Sequence, residues 1–185
     1  MNPTPIEIIS QGIIRVFHAN PDKGPVAFSQ HLGKAKKVLL LCPNADLLSN
    51  HSKHICDFIN LFPKRGLILL LPGVESYDPE NYRLQLLINH PILFSELPRQ
   101  NLWTIIRSSK VKELSQRQFD LLIDLDPEFS LLNAYLCRAL RIPLRIGYSK
   151  PYSKAFYNFE FEGKENTPYT KKLESLITFL KPFFH

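Results

Sequence analysis

Two short, unbroken aliphatic runs constrain this chain more than any other feature: Val38-Leu39-Leu40-Leu41-Cys42 closed by Pro43, and Leu67-Ile68-Leu69-Leu70-Leu71 closed by Pro72-Gly73. A run of this length, flanked by lysine or glycine and ended by proline, fits a strand covered on both faces. Between the two runs, Leu47, Leu48, Ile55, Phe58, Ile59 and Phe62 follow a helical period, which predicts an amphipathic helix over residues 46–61 closed by Pro63. Strand, helix and strand in so short a stretch make a right-handed βαβ unit with parallel strands.

The pattern returns downstream. Phe119 to Leu125 predicts a strand, and Asp126-Pro127 a helix start with a side-chain cap and proline in the first turn. Leu131, Leu132, Tyr135, Leu136, Ala139 and Leu140 carry that helix to a break at Ile142-Pro143. Leu144 to Tyr148 reads as the next strand and Phe156 to Phe161 as one more. Thr167-Pro168 repeats the cap-and-proline start, ahead of a helix on Tyr169, Leu173, Leu176, Ile177 and Leu180 that stops at Pro182. Between the two regions, Tyr82 to Ile88 reads as a short helix, Asn101 to Ile106 as a third strand carrying Trp103, and Ser108 to Gln118 as a polar, basic helix. Residues 74–98 show no regular period. Residues 1–31, with the turn cluster Asn20 to Pro25, form an N-terminal arm or extra strand. Residues 32–185 form a single Rossmann-like α/β domain, a mostly parallel sheet with helices on both faces.

Composition narrows the class. At 185 residues with 44% hydrophobic and 22% charged, the chain suits one globular domain with its own core. Three scattered cysteines make no disulfide framework, no apolar run approaches the roughly 20 residues of a membrane span, and the N-terminus has no secretory pattern. A cytoplasmic location is the expectation. A net charge of +6 favours anionic partners.

Ligands on parallel sheets of this kind sit outside the carboxyl ends of the strands, which selects residues 43–46, 72–77, 124–128 and 147–154. The first of these loops has no glycine, and no G-x-G-x-x-G or Walker pattern occurs, so no dinucleotide or other cofactor is expected. Asn44 and Asp46 stand at the end of the first strand, where Asp46 is either a helix cap or a base. Asp124, Asp126 and Glu128 stand at the end of the later one. Asp126 and Glu128 have ready helix-start roles, whereas Asp124 has none. His51, His54 and Cys56 have no Cys-x-x-Cys beside them and read as core-edge residues, with no metal expected. Arg138, Arg141, Arg145, Lys150 and Lys154 interleave with Tyr148, Tyr152, Phe156 and Tyr157. Of these cations, Arg145 and Lys150 are the candidates for an anion, and Tyr148 accompanies them. Neither Ser49 nor any cysteine has the surroundings of a nucleophile.

The segment Phe119-Asp120-Leu121-Leu122-Ile123-Asp124-Leu125, a helix, then Arg145-Ile146-Gly147-Tyr148, resembles the close of the N-terminal half of glycosyltransferase family 9, the heptosyltransferase-like enzymes of lipopolysaccharide assembly. Ala45-Asp46-Leu47 matches the place of that family's Gly-Asp, whose aspartate is the proposed base. The resemblance covers roughly residues 36–150 and implies an acceptor-side half of a two-domain GT-B enzyme, with Asp46 deprotonating an acceptor hydroxyl. The chain departs from the family at Ala45, at Leu125-Asp126-Pro127 where Leu-Gln-Gly is usual, and in having one such domain. Its layout also resembles short bacterial α/β proteins of unestablished function. The expectation is therefore a binding or assembly module, with a carbohydrate or phosphate-bearing ligand and a partner protein or second copy. The alternative is a glycosyltransferase acceptor half working with a partner chain. A third reading, a weak nucleic-acid binder, rests on net charge and the basic/aromatic patch alone and is disfavoured.

Overall fold

A computed structural model describes residue 12 and residues 27–62, 66–72, 92–95, 102–163 and 166–184, the side chains of residues 45, 72 and 92–95 excepted. In chain order the elements are α1 (Phe28–Lys34), β1 (Lys37–Leu41), α2 (Ala45–Asn50), α3 (Ser52–Ile59), β2 (Gly66–Pro72), β3 (Ile92–Ser95), α4 (Leu102–Arg107), α5 (Ser109–Gln116), β4 (Leu121–Asp124), α6 (Leu131–Ala139), β5 (Leu144–Tyr148), β6 (Phe159–Phe161) and α7 (Tyr169–Leu180). Short 3-10 turns cover Ser153–Ala155 and Lys181–Phe183.

The six strands lie in the order β3-β2-β1-β4-β5-β6, and all five pairings are parallel. This is a Rossmann-like sheet, with its topological switch between β1 and β4, whose carboxyl ends meet at the Leu41–Asp124 pair. The alternation of a pleated strand divides the core in two. Val38 and Leu40 of β1, Leu121 and Ile123 of β4, and Leu144, Ile146 and Tyr148 of β5 pack with Leu32, Ile55, Phe58, Leu173, Leu176 and Leu180, so α1, α3 and α7 cover one face. Leu39, Leu41 and Leu122 pack with Leu102, Ile105, Val111, Leu114, Leu132 and Leu136, so α4, α5 and α6 cover the other. We call these the first and second faces.

Several expectations change. The helix expected over residues 46–61 is two helices hinged at His51, whose φ of −123° leaves the helical region. Asn101 to Ile106 is not a strand: Leu102 and Ile105 are buried three apart while Trp103 is 64% exposed, which is a helical stripe. The third strand is instead Ile92–Ser95, inside the stretch without visible period. Asp126-Pro127 does not open a helix. The chain bends there, and α6 begins at Leu131 behind Ser130, whose Oγ accepts from the Asn133 amide at 3.4 Å. The boundary expected between residues 31 and 32 falls within α1. The arm before residue 27, Gly12 apart, and the helix expected at Tyr82 to Ile88 lie outside the described residues. Among the described residues no helix is long and apolar enough to cross a membrane.

Candidate functional site

Asp124, the last residue of β4, points to the second face and is fully buried. Its Oδ1 accepts from the Asp126 amide at 2.9 Å and from Asn133 Nδ2 at 2.9 Å. Its Oδ2 accepts from Lys150 Nζ at 3.0 Å and from the Tyr157 hydroxyl. The Lys150 side chain is 4% exposed, and its ammonium also donates to the carbonyls of Asp126 at 2.7 Å and Glu128 at 2.9 Å. An ammonium has three protons, and all three are used here. The pair is a buried salt bridge satisfied on both sides, joining the β4–α6 loop to the loop after β5.

Its neighbours fit it closely. A Cβ on Gly147 would stand 2.7 Å from the Tyr157 ring, so glycine is what lets that ring lie against β5 and reach Asp124. Burial and the Asp124 charge push the Tyr157 hydroxyl well above its ordinary range, keeping it a donor to the carboxylate. Burial does the same to the Cys137 thiol nearby.

Arg145 does not stand at the strand end. It lies one residue into β5, buried, with Nε donating to the Phe156 carbonyl at 2.9 Å and Nη1 to the Ile142 carbonyl. Its guanidinium braces the return from β5 to β6. Asp126 is also buried, and its Oδ1 accepts from the Glu128 amide at 3.1 Å, which holds the bend before α6.

On the first face the switch point is filled by the chain itself. Tyr169, at the start of α7, donates its hydroxyl to the Leu125 carbonyl at 2.9 Å. Its ring lies 5.1 Å from the His51 ring and 6.2 Å from the Tyr148 ring. Tyr148 is buried, and its hydroxyl has no hydrogen-bond partner among the described residues. Burial raises both phenols, and it pushes the Cys42 thiol up to about 12 with help from the charge of Asp124.

Asp46 is exposed in the first turn of α2, on the same rim as Asp124, because both follow the carboxyl ends of adjacent parallel strands. The cap is Asn44, whose Oδ1 accepts from the Leu47 amide at 2.8 Å. His54 Nε2 lies 3.5 Å from Glu174 on α7, and Cys56 is buried, so these two and His51 do not converge. Among the described residues no three His, Cys, Asp or Glu side chains are grouped to hold a metal ion. A shallow groove of about 270 Å³ lies at the opposite, amino edge, lined by Gln30, His31, Lys34, Ala35, Asp120 and Pro143.

The expected residues thus divide. Asp124, Asp126 and Lys150 come together, Arg145 and Tyr148 serve separate packing roles, and Asn44 and Asp46 belong to the neighbouring loop. Asn133 and Tyr169 were not expected to take part, and Tyr157 was expected only as one of the aromatics interleaved with the basic residues. Asn133 carries a signal in hindsight, because it is the one polar residue in the buried run 131–137 apart from Tyr135. The chain matches no protein-family model, and no curated protein matches it.

Proposed function

We propose that this chain is a non-catalytic Rossmann-like half-fold, a binding or assembly module similar to the acceptor side of a GT-B glycosyltransferase. The observation that carries this reading is the saturation of the Asp124–Lys150 pair. A carboxylate already accepting four donors has no free lone pair with which to take a substrate proton. An ammonium already giving three protons offers none to a phosphate. General-base chemistry or anion binding at this point would first have to break a buried ion pair. Tyr169 occupies the other face of the switch point, so the crevice that holds ligands in such sheets is filled from within. Group transfer also needs donor and acceptor held together away from water, and an exposed Asp46 is not in such a place.

One observation supports the second reading, glycosyl transfer with a partner chain: Asp46 is accessible and shares the rim of Asp124. The two readings separate on nucleotide sugars, ADP-heptose and UDP-glucose among them, followed for turnover and by amide chemical shifts. The module reading expects no turnover, and Asp46→Asn should change neither the shift differences induced by the sugar nor, beyond about 0.5 kcal/mol, the stability. Sugar transfer or hydrolysis that Asp46→Asn abolishes at unchanged stability overturns it.

A further inference from the structure

We propose that the amino edge of the sheet docks on an anionic phospholipid bilayer. In a parallel sheet every residue that leads into a strand lies on this edge, and here those segments are rich in cations. Lys34 ends α1, Lys36 and Lys37 lead into β1, and Arg141 precedes β5. Lys181 follows α7, in the terminal turn that packs against α1. All five side chains are exposed, and none makes an ion pair among the described residues. Arg117, before β4, is the contrast, bound to Glu113 at 2.6 Å. The acid of the groove, Asp120, turns Oδ2 inward to accept from the Lys36 and Lys37 amides at 2.8 and 2.9 Å. That contact holds the two backbones while their side chains project outward.

The groove of about 270 Å³ opens among these residues, with Lys34 and His31 on its wall. His31 donates Nδ1 to the Ala27 carbonyl at 3.1 Å, which fixes its ring on the groove wall. Beside Lys181, Phe183 and Phe184 pack on the first-face core, Phe184 4.5 Å from the Phe62 ring and Phe183 5.8 Å from the Phe28 ring, and each stays partly exposed. Cations on a rim next to partly exposed phenylalanines suit a surface that is anionic at the headgroups and apolar just beneath. Single-stranded nucleic acid fits less well, since it is held by exposed rings that stack on bases. Among the described residues the exposed large aromatics, Trp103 and Tyr152, belong to α4 and to the loop after β5.

The test is co-sedimentation of the full chain with vesicles of phosphatidylcholine alone, or of phosphatidylcholine mixed with phosphatidylglycerol. Binding is expected only to the mixed vesicles, and it should weaken as salt shortens the screening length to about 10 Å. Each neutralised cation should cost about fivefold. Lys34→Gln/Lys36→Gln/Lys181→Gln should therefore lose roughly a hundredfold and the independent pair Lys37→Gln/Arg141→Gln about 25-fold, both with unchanged melting. Lys53→Gln, near the start of α3 at the other edge, should bind as the parent does. No pelleting with mixed vesicles at low salt overturns the proposal. So do equal binding to phosphatidylcholine alone, an equal loss in Lys53→Gln, and tighter binding to polyuridylate than to the mixed vesicles at the same salt.

Discussion

A buried lysine is expensive unless every proton has an acceptor, and Lys150 meets that condition with one carboxylate and two carbonyls. The stability it confers is therefore asymmetric. Lys150→Met leaves the Asp124 carboxylate buried without its counter-charge, and a loss of about 3–5 kcal/mol is expected. Lys150→Met combined with Asp124→Leu removes both charges and should cost less than the single change. Some loss remains, because the Tyr157 hydroxyl and Asn133 amide are orphaned at about 1–3 kcal/mol. Denaturant unfolding of the two variants decides the matter. A double variant no more stable than Lys150→Met would mean that the ion pair is not what holds this edge.

At the scale of elements, the difference between what the sequence disclosed and what it hid is one of length and burial. β1, β2 and β4 were legible because each carries an unbroken aliphatic run, β5 because Leu144, Ile146 and Tyr148 follow a proline break, and their parallel pairing followed from the helices between them. α4 was not, since six residues with a tryptophan and two isoleucines suit either period, and only the burial of Leu102 and Ile105 chooses between them. Helix starts misled for a related reason. Asp126-Pro127 carries every local mark of a cap, yet Asp126 is fully buried and turned into the bend, and Ser130 takes the cap four residues later. In the candidate site, the aspartate at the end of β4 was legible as unusual, whereas its partners come from residues 9 to 33 positions away and could not be paired from spacing. The caps themselves are testable. Asn44→Ala should cost about 1 kcal/mol by losing the bond to the Leu47 amide, and Asp46→Ala should cost less, since only its interaction with the helix dipole is lost. Equal losses in thermal melts would return the capping role to Asp46.

Across the whole molecule, weakly acidic groups are gathered on both faces of the sheet's carboxyl edge, and all are held protonated by burial. Cys42 is pushed up to about 12; Cys137, Tyr148, Tyr157 and Tyr169 are raised as well. In the unfolded chain these thiols ionise from about pH 8.5 and the phenols from about pH 10. Between those values and their folded ones, the native state binds more protons than the unfolded state, so stability must fall as pH rises. Each group that ionises only on unfolding contributes about 1.4 kcal/mol per pH unit. The two deeply buried thiols together should thus lower the unfolding free energy by about 2.7 kcal/mol per unit above about pH 9, before the phenols steepen the decline. Urea unfolding followed from neutral pH into the alkaline range should show this slope. Cys42→Ala/Cys137→Ala should remove most of the early part, Cys56 keeping a remnant because burial raises its thiol too, and leave the steeper phase above about pH 10. A stability flat to about pH 11 would mean that these side chains reach water without unfolding, and that the carboxyl edge is not the dry, self-filled surface on which the module reading depends.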